Sequence, residues 1–172
     1  MSGNRSGSQR SWGWHPLRSD WAERVVEATG VRRGDLVLDL GAGDGALTAP
    51  LVAAGARVLA VELHAPRAAA LRERFSDADV RVLEVDLADL RLPRRGFRVV
   101  ANPPFGGSTD LVRSLLASPS LLSADLVLQR AAARRWADRR RVRRRRLDLG
   151  LAVPRSAFRP PPRVDAAVLQ IR

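Results

Sequence analysis

The 172-residue sequence predicts a single-domain α/β fold, with a mostly parallel seven-stranded sheet, an antiparallel last strand and helices on both faces. Three observations predict it. Short apolar runs alternate with stretches of helical length and pattern, which is how a parallel sheet is written. The run Leu36-Val37-Leu38-Asp39-Leu40 passes directly into a glycine-rich turn, Gly41-Ala42-Gly43-Asp44-Gly45. The two final apolar runs, 147–153 and 166–171, have no helix between them and should close the sheet as an antiparallel hairpin.

The elements follow in order. A helix over 20–29 is stopped by Gly30, a strand occupies 36–40, and a helix over 45–54 is stopped by Gly55. A strand at 58–61 precedes a helix over 66–75 that Pro66 starts, where a missing amide costs nothing. Strands at 80–85 and 97–101, a helix over 109–117 and a strand at 124–128 come next, and a helix near 130–136 follows. No internal repeat is visible. The length supports a sheet covered on both faces, and residues 12–172 form the expected domain behind a polar, Ser/Gly-rich tail at 1–11, expected to be disordered.

Composition excludes several classes. No apolar run reaches the length of a membrane span, and residues 1–11 lack the apolar core of a secretory signal. The absence of cysteine excludes disulfides and thiolate metal sites, and two histidines are too few for a histidine-rich metal centre. A cytoplasmic enzyme without metal is therefore expected. The formal charge is +12, and the segment Arg130 to Arg146 supplies +9 of it, with ten arginines and Asp138 as the one acid. Such a local patch is the electrostatic footprint of phosphate binding. It makes Arg134, Arg135, Arg139, Arg140, Arg141, Arg143 and Arg144 the candidate nucleic-acid phosphate contacts, with Trp136 placed to stack on an unpaired base. A solvated basic loop with Trp136 packed on the core is the plainer alternative.

Chemistry enters at the strand ends. Glycines in the first turn let backbone approach a ligand and leave helix amides facing it, so Gly41 and Gly43 are candidate cofactor contacts. Nineteen residues beyond Gly43, the second strand ends in Glu62, where an acid can accept from both ribose hydroxyls. The third strand ends in Asp86, placed to accept from an adenine amino group. The fourth runs into Asn102-Pro103-Pro104-Phe105.

An exocyclic amine is a poor nucleophile because its lone pair is delocalised, and two acceptors can draw it towards tetrahedral geometry. Prolines at 103 and 104 remove two backbone donors, leaving carbonyls and the Asn102 side-chain oxygen as acceptors, while Phe105 offers a face for stacking a base. Asn102, Pro103 and Phe105 are thus the candidate catalytic residues. A nicotinamide-binding Rossmann domain would share the glycine turn and first acid, but it does not explain the Asn-Pro-Pro-Phe turn. The order of the four motifs fits bound S-adenosylmethionine with its methyl towards the fourth strand's loop, which adds Asn102 to the cofactor contacts.

With these motifs, from about Trp12 to Arg172, the chain resembles the Erm and KsgA-like ribosomal RNA adenine N6-methyltransferases, and more closely the Erm branch that confers macrolide resistance. The resemblance rests also on Leu126-Val127-Leu128-Gln129-Arg130. Its most specific part is Phe158-Arg159-Pro160-Pro161-Pro162-Arg163-Val164-Asp165, similar to the family's Phe-x-Pro-Pro-Pro-x-Val-Asp segment. It implies a Rossmann-like class I methyltransferase acting with S-adenosylmethionine on ribosomal RNA, with the large subunit's RNA as the expected target.

The family usually begins with a Gln-Asn-Phe-Leu-like segment over the cofactor. Here the corresponding residues are Gly13-Trp14-His15-Pro16-Leu17, which makes His15 a candidate cofactor contact. The helical RNA-binding domain usual in the family has no counterpart before Arg172, so the arginine patch is the expected grip on RNA. Methylation of a protein side chain and a non-catalytic RNA-binding module are the two rival readings.

Overall fold

The protein is described by a computed structural model over residues 14–172; the expected tail at 1–11 lies outside the described residues. In chain order the elements are α1 (Ser19–Glu27), β1 (Leu36–Leu40), α2 (Thr48–Ala53), β2 (Arg57–Val61), α3 (Ala65–Arg74), β3 (Val80–Leu83), β4 (Phe97–Ala101) and α4 (Ser108–Ala117). Then follow β5 (Leu121–Gln129), α5 (Arg130–Ala137), β6 (Arg141–Val142), β7 (Arg145–Val153) and β8 (Ala166–Ile171). They build one sheet in the order β3-β2-β1-β4-β5-β8-β7-β6.

Strands β1 to β5 pair in parallel, and β8 lies antiparallel between β5 and β7. β7 therefore runs parallel to β5, and the expected seven strands with one reversed are all present. The eighth, β6, was not expected: two residues inside the arginine run pair antiparallel with the start of β7. The closing pair is also no tight hairpin. Between its strands the chain makes a 3-10 turn at Arg155–Ala157 and then the proline segment.

Order β3-β2-β1-β4 means that the chain winds outward from β1, then returns to start again on its other side. At such a switch point the connections leave in opposite directions, and a crevice opens at the strands' carboxyl ends. β1 lines it because Val37, Leu38 and Leu40 are fully buried, so the strand is apolar on both faces. One core packs α1, α2 and Leu71 of α3 against the sheet; the other packs Val112, Leu115 and Leu116 of α4 with Ala133 and Trp136 of α5.

Trp136 is 8% exposed, with the Arg139 guanidinium 4.7 Å above its ring. It is a core residue and offers no face to an unpaired base, so the stacking role expected of Trp136 is not met. The buried Asp125 carboxyl is pushed up by burial, an effect that a two-pronged contact from Arg172, at 2.7 and 3.1 Å, opposes.

Candidate active site

At the carboxyl ends of β1, β2 and β4 lies a cavity of about 500 Å³, well within the range of cofactor sites. Its wall carries His15, Gly41, Glu62, Asp86, Asn102, Pro103 and Phe105, so the structure gathers predicted residues from five separate segments. Gly43 is the exception. It sits one layer back, where its amide donates to Glu62 Oε2 at 2.8 Å.

The glycine turn works through its backbone. Gly41 and Gly43 have φ of +80° and +62°, which L side chains rarely adopt. A Cβ on Gly41 would lie 3.0 Å from Pro104, and one on Gly43 would lie 2.7 Å from the indole nitrogen of Trp14. The turn is therefore clamped between the fourth strand's loop and the segment entering α1. Because Gly45 also has positive φ, at +89°, the turn extends further than expected and α2 begins at Thr48 instead of 45.

Glu62 is buried, yet both its oxygens are anchored: Oε2 by the Gly43 amide and Oε1 by the His64 amide at 2.8 Å. Two backbone donors fix the carboxylate's orientation, and each oxygen keeps a lone pair to offer. Asp86 accepts from the Ala88 amide at 2.9 Å through Oδ1 and keeps Oδ2 free of hydrogen bonds among the described residues.

Asn102 is oriented from outside its own loop. Its Nδ2 donates to the His15 carbonyl at 2.9 Å, which turns Oδ1 away as an acceptor without a donor among the described residues. His15 is held in turn by a bond of 2.8 Å between its Nδ1 and the carbonyl of Pro160. Arg159 donates to the Pro16 carbonyl at 3.0 Å, Arg18 donates to that of Ala157 at 2.8 Å, and Leu17 and Phe158 form a bridge. The proline segment is thus the rail against which residues 15–18 lie, and through His15 it sets the angle of Asn102. The His15 ring is nearly parallel to Phe105, with centroids 6.2 Å apart and planes at 25°.

Two parts of the site were not singled out from sequence. Arg67 lies 4.0 Å above the Trp14 ring and reaches within 4.0 Å of Glu62, forming a cationic cap on the cavity wall. Asp39, 1% exposed, accepts from Thr48 Oγ1 at 2.7 Å. Burial, reinforced by Glu62 and Asp44 and opposed by the Thr48 bond, pushes its carboxyl up to about 7. An acid two residues before the first glycine was the available signal for Asp39; nothing in the spacing marked Arg67.

The predicted arginines are all exposed, but they do not face the cavity as one group. Arg134 and Arg135 lie on α5, Arg139 covers Trp136, and Arg140, Arg141, Arg143 and Arg144 form the turns and edge around β6. Among the described residues, no group of three or more His, Asp or Glu side chains could hold a metal, and no helix is long and apolar enough to cross a membrane.

A sheet wound this way, with β8 reversed between β5 and β7 and a cavity at the β1/β4 switch, is the Rossmann-like architecture of a methyltransferase. The family model for ribosomal RNA adenine dimethylase matches residues 11–172, and the chain belongs to that family. A Corynebacterium diphtheriae protein named rRNA adenine N-6-methyltransferase is 38% identical over 79% of this chain and 57% of its own length. A Bordetella avium ribosomal RNA small subunit methyltransferase A is 32% identical over 95% of this chain and 68% of its own. Among solved structures, the 23S rRNA methyltransferase ErmE superposes with a TM-score of 0.82 at 30% identity, over 91% of this chain and 69% of that one. The chain spans about three fifths of the first curated relatives it matches, 57% of one and 63% of another.

Proposed function

We propose that this chain transfers a methyl group from S-adenosylmethionine to the N6 amine of an adenine in ribosomal RNA, in the large subunit, and so confers resistance to macrolide, lincosamide and streptogramin antibiotics. The observation that carries the reading is the unused Asn102 Oδ1 beside Phe105, aimed by the His15 carbonyl. The large-subunit target is supported by the likeness to ErmE and to the Corynebacterium enzyme; the likeness to small-subunit enzymes is the reason to test it.

The residues present fit the cofactor. Glu62, anchored by two amides, suits a ribose diol; Asp86 suits an adenine amine; Gly41 leaves a surface on which a Cβ would already crowd Pro104. His15 completes its surroundings, and Gly43 acts from behind by donating to Glu62. When bound, the cofactor supplies an electrophilic methyl on a sulfonium.

The chain's own part is to bind and orient the acceptor. The target adenine leaves its stack, which costs a few kcal/mol and least at an unpaired site. Phe105 holds the flipped base, and Asn102 Oδ1 with a carbonyl of the Pro103 turn accepts from its two amine hydrogens, drawing the lone pair out of the ring. Positioning of this kind supplies most of the rate. The exposed arginines bind the RNA's phosphates.

The test is transfer of labelled methyl to protein-free ribosomal RNA, to intact subunits and to bulk cell protein. N6-methyladenine in large-subunit RNA is the expected product. Label confined to small-subunit RNA or to protein overturns the assignment. Glu62→Ala should raise the cofactor's Kd about 10- to 100-fold, the loss of charged hydrogen bonds worth ~1.5–3 kcal/mol, with kcat largely kept at saturation. An unchanged Kd by calorimetry would remove Glu62 from the cofactor site.

A further inference from the structure

Strand register shows how far the arginine run reaches from the cavity. Gln129 and Val153, the carboxyl ends of β5 and β7, both pair with Ala166 at the cavity end, whereas Ala124 and Leu147 both pair with Ile171 at the other. The two-residue turn Arg143-Arg144, which joins β6 to β7, therefore hangs beyond the sheet's far end. A nine-residue strand, roughly 30 Å at 3.3 Å per residue, separates it from the cavity level. α5 spans part of the gap, since it starts at Arg130 beside the strand that neighbours β4 and exposes Arg130, Arg134 and Arg135 on the way down.

The far end of this track is conformationally strained. Among the described residues only Arg140 and Arg143 combine a side chain with positive φ, at 55° and 57°; seven other positions of positive φ are all glycine. Arg143 holds the first position of the two-residue hairpin turn, where Gly or Asn is usual because a Cβ is disfavoured, and Arg140 sits in the turn just before β6. Strain of this kind marks positions whose side chain is used. Neither arginine, nor Arg141, Arg143's neighbour Arg144 or the helical Arg134 and Arg135, has a carboxylate within 4 Å among the described residues.

We infer that the β6–β7 hairpin is a second RNA-docking site, remote from the cavity, which grips the phosphates of a double-helical flank while the adenine enters the cavity. The inference rests on the ribosomal RNA reading above. Single-strand sites combine charge with stacking faces, and the one aromatic residue between 130 and 146, Trp136, is buried beneath Arg139. Charge alone reads backbone, and a duplex keeps its phosphates in a fixed array over a strand's length where a single strand does not. Arginine's forked donors suit that array. Charges on a short edge strand also guard against edge-to-edge pairing, but that purpose needs no arginine at a strained turn.

The experiment compares wild type with the double variant Arg140→Gly and Arg143→Gly, on a stem-loop RNA presenting an unpaired adenine and on an unstructured RNA of equal length. The variant should melt a few degrees higher, since glycine accepts both backbone conformations. It should bind the stem-loop about tenfold more weakly near 0.15 M salt, with a slope of log K against log salt shallower by about 2. Its affinity for the unstructured RNA and its Kd for S-adenosylmethionine should match wild type. Unchanged stem-loop affinity and slope would overturn the docking site, and an equal loss on both RNAs would overturn the duplex assignment. Methyl transfer by wild type is measured separately, so failure of the enzymatic reading is distinguishable from failure of this one.

Discussion

Asn102→Ala should lower methyl transfer by at least ~10²–10³-fold while leaving the cofactor's Kd within about twofold, the loss expected when a preorganised polar group at the reacting atom is removed. The argument is geometric. Asn102 donates one Nδ2 hydrogen to the His15 carbonyl at 2.9 Å, which fixes the amide and leaves Oδ1, an acceptor, without a donor among the described residues. Asn102→Asp tests this more finely. It keeps an acceptor, but it sets a carboxylate against that carbonyl and loses the anchoring bond, so it should be nearly as inactive as the alanine variant. Single-turnover transfer with saturating RNA gives the rate, and calorimetry with the cofactor gives the Kd. An alanine variant that retains wild-type turnover removes Asn102 from the chemistry.

That geometry shows what the sequence could and could not convey. Leu36–Leu40 and Phe97–Ala101 were placed to the residue, because each is an apolar run cut short by a turn whose residues cannot extend it. Gly41, Glu62 and Asn102 line one cavity because each directly follows one of the adjacent parallel strands β1, β2 and β4, while Asp86 reaches it from three residues beyond β3, which ends at Leu83 instead of the expected 85. Contacts between distant segments were not legible. His15 and Pro160 are 145 residues apart, and nothing local to either announces that the proline segment holds the residue that holds Asn102. The arginine run misled in a different way. Its charge was plain, but charge has no periodicity, so a two-residue strand and two left-handed turns stayed invisible inside it. Trp136 belonged to the helix's buried face, which its spacing of three from Ala133 could have signalled.

Asp39, buried behind the glycine turn, carries a carboxyl whose charge costs the fold stability. Its carboxyl ordinarily titrates near 3.8 and is raised to about 7 in the folded chain, chiefly by burial. Between those values the native state binds a proton that the unfolded chain has lost. Stability from this group is therefore fully present below about pH 4 and declines as pH rises, until it is gone above about pH 7. Roughly three pH units at 1.36 kcal/mol each amount to ~4 kcal/mol across the window. Asparagine imitates the protonated acid and can still accept from Thr48 Oγ1, the bond now 2.7 Å long. Asp39→Asn should thus match wild type at pH 4 and exceed it by as much as ~4 kcal/mol at pH 8. Urea unfolding of both proteins at intervals from pH 4 to 8 measures the difference directly. A difference that stays flat with pH would mean that Asp39 titrates normally despite its burial, whereas one that grows as expected shows a chain that tolerates an unstable carboxylate beneath its glycine turn at neutral pH.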